Sequence, residues 1–426
     1  MSIARPLVTE LRRNVGRYIF PVAVCLHLLA ALRWTPPDTD VWIDTSSAIP
    51  MGSALSGPFV ACLATWAGTR EMRSRAAVLR VTSPRPQWLG ACVELLSLCL
   101  WVLAAYLLVA MVLVGRTSLG ATWGQPDLLW LSAGALGLML FVVAGYVAGR
   151  IVPRAFMAPL VGVICYLAVV LNAASFGTPW YFLNPAIMQR TTPFLAINHR
   201  LLALQIAWYT AIAASLFCAY AVALLGVRTR TVVTALAVSV AAAVAVAIPI
   251  ANTRSLLQGV TAFDYVCHGG RVTICVHPAY SRGLGALQSE FDPLASRLTG
   301  TPFGATRLEQ HRRGPRPAQG DTAWFAFDDL RPGFARLAVE EYVSSLAPVA
   351  ACLHASSNEE QRNGAMRELA VQAWIADDDS ILAGVPATAR NAREQLATMS
   401  EAAGRAWLSG HAKNIVDCTL SWDDFR

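Results

Sequence analysis

The stretch LLWLSAGALGLMLFVVAGYVAG occupies residues 128–149 and contains no charged side chain. A helix needs about 20 apolar residues to cross the hydrocarbon core of a bilayer. No water is available there to satisfy bare backbone groups, so a spanning segment in lipid must be a helix or part of a closed barrel. An apolar run of this length predicts a transmembrane helix.

Six further runs have a similar composition. The chain has 426 residues, of which 55% are hydrophobic and only 14% are charged, whereas a soluble domain has about 25% charged residues. The seven runs are roughly 15–32, 51–68, 88–115, 128–149, 155–174, 201–227 and 232–250. We therefore predict a polytopic α-helical membrane protein of about seven transmembrane helices, with residues 1–250 as the transmembrane domain.

The net charge of +7 is unevenly distributed along the chain. Residues 1–250 contain seventeen arginines and seven acids, and residues 251–426 contain seventeen basic residues and twenty acids. The positive charge therefore belongs to the apolar half, where it governs membrane topology. This distribution argues against nucleic acid as a partner and favours membrane lipids.

The loops between the runs differ in their arginine content. If the N-terminus is cytoplasmic, the cytoplasmic segments contain thirteen arginines and the outer loops contain four. Cytoplasmic loops carry the excess of positive residues in membrane proteins. The sequence thus predicts a multi-pass plasma-membrane protein with a cytoplasmic N-terminus, and seven spans place residues 251–426 on the extracytoplasmic side.

Residues 251–426 have the composition of a globular α+β domain. The opening FDYVCHGGRVTICVHPAY, at 263–280, predicts a β-hairpin that turns at Gly269 and Gly270. A helix follows, with Pro278 near its start and Gly300 past its end. A short strand is expected at 322–327, a loop at 311–321, and mostly helix from about 336 to 416.

This domain contains four cysteines, an even number that favours two disulfides on an oxidising face. Across the predicted hairpin, Cys267 and Cys275 would come close enough to bridge. That pairing leaves Cys352 for Cys418. The alternative is four free buried thiols.

The segment TREMRSRAAVLRVTSPRPQW, at 69–88, is the largest cytoplasmic loop. Apolar residues recur at helical spacing and arginines occupy a different face, while Pro84 and Pro86 end the helix. One interpretation is a helix that rests on anionic headgroups. The other is a docking element for a cytoplasmic protein. Its residues would be Arg70, Met72, Arg73, Ala76, Leu79 and Arg80.

Three stretches carry a family resemblance: GTREMRSRAAVLRVTSPRPQW at 68–88, VCHGGRVTICVHPAY at 266–280 and AWLSGHAKNIVDCTL at 406–420. Together with the order of elements, they resemble the permease subunits of six-span ABC exporters of the actinobacterial kind, with a fused extracytoplasmic domain. The resemblance implies a coupling helix at 69–86 that fits a groove of a cytoplasmic ABC ATPase. It also implies a second permease copy or a homologous permease. The seventh span departs from the six-span pattern.

ATP hydrolysis is expected in a separate chain. A P-loop needs a lysine on the phosphates, and the single lysine, Lys413, lies in the outer domain. We find no catalytic motif, metal-ligand motif or cofactor motif, because His-Glu-x-x-His and Gly-x-Ser-x-Gly are both absent. We therefore expect no enzyme activity and no cofactor in this chain.

Three alternatives remain open. The chain could be a sensor that passes a signal through permease-like spans. It could be an ion-coupled transporter, but Glu94 lies near the predicted cytoplasmic interface, where it can pair with an arginine such as Arg85. His27 is more typical of a hydrogen-bonded interior histidine. Finally, it could be a tethered ectoenzyme, although the acidic run 377–379 fits a solvated turn better than a calcium site.

Overall fold

The computed structural model describes residues 4–426 apart from short gaps. The gaps are 14–15, 36–39, 74–86, 176, 179, 187–188, 190, 224–226, 228, 261, 313–320, 350–351 and 353–357. The chain divides into two compact units, Met1–Val260 and Thr261–Arg426. We call them the membrane unit and the C-terminal unit.

The membrane unit is built from long apolar helices. Their bounds are α1 (Ala4–Arg13), α2 (Gly16–Trp34), α3 (Trp42–Met51), α4 (Ser53–Arg73), α5 (Gln87–Ser118), α6 (Leu128–Ile151), α7 (Met157–Ala174), α8 (His199–Ala223) and α9 (Arg230–Ala251). Within the described ranges, seven helical stretches are long and apolar enough to cross a membrane, and they overlap the seven apolar runs. The fold is therefore that of a polytopic helical membrane protein.

The second of these stretches begins nine residues earlier than the sequence predicts. It covers Trp42–Arg70, because α3 continues into α4 with an interruption at Gly52. The added helix has the sequence WIDTSSAIPM, and its polar residues explain why the apolar run in the sequence begins only after it. Its Thr45, Ser46 and Ser47 are nevertheless buried. Hydrogen bonds satisfy these hydroxyl groups. Those of Thr45 and Ser46 are given below, and that of Ser47 donates to the carbonyl of Asp44 and lies 3.3 Å from the hydroxyl of Thr191.

The helices differ in how deeply they lie in the unit. In the most apolar 18 residues of the α3–α4 stretch, 72% of the residues are buried, whereas in the corresponding part of α9 the value is 6%. The core that α4 shares with α2, α5 and α6 contains large buried side chains, including Leu98, Tyr106, Leu138 and Tyr146. The α3–α4 stretch is thus central, and α9 lies at the periphery against α8.

A short antiparallel pair of strands, β1 (Leu195–Ile197) and β2 (Leu257–Val260), joins the start of α8 to the segment after α9. The backbone N–H of Asn198 also donates to the carbonyl of Leu256 at 2.8 Å. These bonds hold residues 251–260 within the membrane unit. The boundary between the units therefore lies ten residues beyond the one expected from composition.

The C-terminal unit contains a sheet whose described strands have the order β3-β4-β5-β6. The strands are β3 (Val266–Gly269), β4 (Thr273–Val276), β5 (Arg307–Gln310) and β6 (Thr322–Phe325). β3 and β4 form the predicted hairpin, and β5 pairs in parallel with both β4 and β6. β5 is not among the strands predicted from the sequence. Its residues, RLEQ, have little β propensity, but the strand is central and every second residue is buried.

Helices of the C-terminal unit follow the predicted pattern. They are α10 (Leu284–Leu298), α11 (Phe334–Leu346), α12 (Asn358–Ala376), α13 (Ala387–Ala397) and α14 (Glu401–Val416). A 3-10 helix at Pro278–Gly283 precedes α10, and Gly300 after it has a φ of +80°. Such a backbone conformation favours glycine just past a helix end.

Both disulfides expected from the sequence are formed. Cys267 is bonded to Cys275 at the same level of the hairpin, and Cys352 is bonded to Cys418, 66 residues further along the chain. On α12, a Cβ atom at Gly364 would lie 2.8 Å from the sulfur of Cys418. The glycine thus lets the second disulfide pack directly against the helix.

Candidate functional site

The proposed docking residues lie at the gap between α4 and α5. Arg70 is exposed near the end of α4, and Met72 and Arg73 belong to its last turn. Ala76, Leu79 and Arg80 lie outside the described residues. The docking surface therefore stays a prediction, and the two helices that flank it are α4 and α5.

The helix before the gap is packed very closely against α6. A Cβ atom at Gly145 would lie 2.2 Å from the carbonyl oxygen of Ala61, and one at Gly149 would lie 2.2 Å from that of Thr65. Glycines four residues apart permit such close backbone approach between membrane helices. The end of α4 that leads into the gap is thus held on α6 by backbone contact.

Adding a methyl group at this contact is expected to separate the two helices. For Gly149→Ala we expect the free energy of unfolding to fall by about 1–3 kcal/mol, because the neighbour is backbone and cannot rotate away. Thermal unfolding of the detergent-solubilised chain measures the change.

The matched control is Gly115→Ala in α5, where a Cβ atom meets no atom of the described residues within 4 Å. There alanine should be neutral or stabilising by up to about 1 kcal/mol, since it favours helix more than glycine does. Equal losses in both variants would contradict the packing argument.

The helix after the gap is joined to α6 by a buried polar cluster. The Arg150 guanidinium contacts the Glu94 carboxylate at 2.6 Å, and their side chains are only 5% and 12% exposed. The hydroxyl of Tyr146 donates to Glu94 at 2.8 Å and accepts from Arg150 at 2.7 and 3.0 Å. We call Glu94, Tyr146 and Arg150 the ion-pair cluster.

The cluster changes the interpretation of Glu94. We expected a partner in the loop before α5, such as Arg85, which lies outside the described residues. The observed partner is Arg150, in the last turn of α6. Buried ionised groups in membrane helices are normally paired with one another. A carboxylate held by an arginine and a tyrosine is better suited to join helices than to carry a proton.

Segment 74–86 is therefore flanked by two helices that are both joined to α6. α4 contacts α6 through glycines, and α5 contacts it through the ion-pair cluster. Force applied to the segment would reach one end of α6 by two routes. This arrangement suits a mechanical coupling element.

His27 lies at the break between α3 and α4. Its Nε2 is 2.8 Å from the carbonyl of Ile49, and its Nδ1 is 2.7 Å from the hydroxyl of Ser56. The carbonyl can only accept, so Nε2 donates and, in the neutral ring, Nδ1 accepts from the serine. His27 is an interior hydrogen-bonded histidine, as predicted.

A polar seam joins helices at the opposite end of α6. The hydroxyls of Thr45 and Thr117 are 2.6 Å apart, and the backbone N–H of Asp127 donates to Ser46 at 3.0 Å. The carboxylate of Asp127 is 2.6 Å from His199. No sequence motif marked these residues, because their spacing along the chain follows no pattern. They bring α3, α5, α6 and α8 together.

In the C-terminal unit, the acidic run 377–379 forms ion pairs with arginines. Asp377 is 2.8 Å from Arg297 and 3.2 Å from Arg393. A hydrogen bond from Arg336 lowers the pKa of Asp378 to about 2. The run is thus paired rather than simply solvated. Across the described part of the chain, no three His, Cys, Asp or Glu side chains are grouped to hold a metal ion.

Comparison with known proteins adds no family to this picture. No family model, curated protein or solved structure that was compared matches the chain.

Proposed function

We propose that this chain is the transmembrane subunit of an ABC-type exporter, driven by a separate ATPase that docks on residues 69–86. The observation that carries the proposal is the attachment to α6 of the two helices that flank the arginine-rich segment. It lies between two long helices, and the glycine contact and the ion-pair cluster join both of them to α6. The sequence resemblance of 68–88 to a coupling helix supports the same assignment.

In the proposed mechanism, ATP binding and hydrolysis move the docking segment. Because α4 and α5 are joined to α6, the three helices would move together, and the bundle would alternate between two conformations. Proteins switch between discrete packed arrangements more readily than they deform continuously. The arginines of the segment would face the cytoplasm, and the C-terminal unit would lie outside the cell.

A charge in the apolar stripe tests the docking. We expect Ala76→Asp to lower recovery of a P-loop ATPase that co-purifies with the chain. An unpaired carboxylate buried in the groove would weaken binding of the ATPase, by several kcal/mol at most. The ATPase is identified and quantified by mass spectrometry of the affinity-purified complex.

The matched control is Ala77→Asp, which places the same charge one residue away and off the stripe of Met72, Ala76 and Leu79. It should retain the ATPase. Full recovery with Ala76→Asp, in correctly inserted protein, would instead favour a segment that rests on the membrane surface.

Topology is tested by labelling with an impermeant maleimide. The six cysteines of the membrane unit are free thiols, so they are first replaced. The four cysteines of the C-terminal unit are kept, because disulfide-bonded cysteines do not react with maleimide. Gln319→Cys should label in intact cells, and Ser83→Cys should label only after the cells are opened. The reverse pattern would overturn both the topology and the proposed ATPase docking.

A further inference from the structure

An apolar groove of about 370 Å³ lies between α8 and α9 in the membrane unit. One wall is formed by Trp208 and Ile212 of α8, and the other by Val244, Ala247 and Ile248 of α9. Both walls belong to helices that are long and apolar enough to span a membrane. The groove therefore opens where hydrocarbon chains of lipids would be found.

One end of the groove is closed by a contact between its walls. The hydroxyl of Ser215 on α8 donates to the hydroxyl of Ser239 on α9 at 3.0 Å. From this contact the helices run toward Trp180 and Leu183, which line the other end. The groove is thus a slot with one closed end.

The segment at the other end is fixed by side chains of α8. Gln205 donates to the carbonyl of Phe182 at 2.9 Å, and the Trp208 indole N–H donates to that of Leu183 at 3.0 Å. The hydroxyl of Tyr209 donates to the carbonyl of Asn184 at 2.9 Å. These bonds satisfy the polar groups of the wall, so the groove is preformed and presents carbon atoms.

Cationic side chains lie at the end where α8 begins and α9 finishes. The β1–β2 pairing brings these two helix ends together. Arg200 is in the first turn of α8, and Arg254 follows Ala251, the last lining residue of α9. Both arginines are exposed. A phosphate at the level of the headgroups would complement their charge.

We propose that this groove is a binding site for one acyl chain of a phospholipid, with the lipid phosphate near Arg200 and Arg254. The volume of about 370 Å³ suits a single chain of methylenes. One turn of a helix with its side chains, about 10–12 Å across and about 5.4 Å long, occupies more than about 400 Å³, so a second copy of α9 is a poor occupant.

The test uses the full chain reconstituted in phosphatidylcholine–phosphatidylglycerol vesicles with a trace of a phospholipid that carries a diazirine in its acyl chain. After illumination, labelled peptides are mapped by mass spectrometry. The measured quantity is the labelling of α8 residues 208–215 divided by that of α7, whose exposed apolar face reports general lipid contact. The wild-type ratio should be well above one.

Ala247→Trp fills the groove and should lower this ratio at least about fivefold. Ala245→Trp is the matched control, because Ala245 is exposed on the same helix and does not line the groove. It should leave the ratio unchanged.

A wild-type ratio near one, or a ratio that Ala247→Trp does not change, would mean that the groove has only general lipid contact and would overturn the proposal. The labelling ratio of the wild-type chain tests the proposal even if a variant fails to fold. Efficient disulfide formation between chains carrying Ala247→Cys, with the native free cysteines removed, would also overturn it, because a second copy would then occupy the slot.

Discussion

Replacing Arg150 by Ala is expected to lower the free energy of unfolding of the membrane unit by about 3–5 kcal/mol, because it leaves a buried carboxylate without its cation. Glu94→Ala should cost a similar amount for the converse reason. Since both lose the same interaction, the double variant should cost clearly less than the two single losses together. Thermal or denaturant unfolding in detergent provides the three values.

The control for this cycle is Arg154→Ala. Arg154 is exposed just beyond α6, and removing an exposed charge usually changes stability by less than about 0.5 kcal/mol. Strictly additive losses for Glu94 and Arg150 would show that the ion-pair cluster does not join α5 to α6. The proposed transmission from segment 74–86 would then lose one of its two routes.

Glu368→Gln is expected to stabilise the C-terminal unit at alkaline pH. Glu368 lies on α12 with its carboxyl group fully buried, and neither oxygen has a hydrogen-bond partner among the residues that the structure describes. Burial raises its pKa to about 8, and the neighbouring Arg367 opposes this shift. The carboxyl therefore stays protonated in the folded unit at neutral pH, whereas it ionises in the unfolded chain.

The sign of the pH dependence follows from these two states. Between the usual pKa of a glutamate and about 8, the unfolded chain binds fewer protons than the folded unit, so stability falls as the pH rises. Each pKa unit corresponds to about 1.4 kcal/mol. At pH 8 glutamine should therefore gain on the order of 3–5 kcal/mol, and near pH 4 almost nothing.

Hydrogen exchange of α12 amides in the full chain, corrected for intrinsic rates and measured from pH 5 to 9, would detect this difference. Glu359→Gln changes an exposed glutamate on the same helix and should have little effect. If wild type and Glu368→Gln show the same pH dependence, the carboxyl of Glu368 is not protonated in the folded unit.

Features that depend on neighbours along the chain were predictable. The seven apolar stretches follow from local hydropathy, and the β3–β4 hairpin follows from two β-rich runs around glycines. The Cys267–Cys275 bond follows from that hairpin, and the Cys352–Cys418 bond follows by elimination. Each of these inferences needs only composition, spacing or a short turn.

Features that depend on distant partners were not predictable. β5 lies between β4 and β6, so its pairing stabilises a sequence with weak strand propensity. The helix α3 contains the polar run 44–47, yet contacts such as that of Thr45 with Thr117 satisfy its hydroxyl groups in the bundle. The segment after α9 belongs to the membrane unit because its strand β2 pairs with β1.

The sequence alone determined that this chain is a membrane protein with an arginine-rich segment between its second and third spans. Hydrophobic transfer free energy accumulates residue by residue, so a run of apolar side chains predicts a span whatever it packs against. Only the tertiary structure decided that Glu94 pairs with Arg150, 56 residues away, and that Gly145 and Gly149 meet the backbone of α4. Such pairings depend on which helices become neighbours, and no local pattern records that choice.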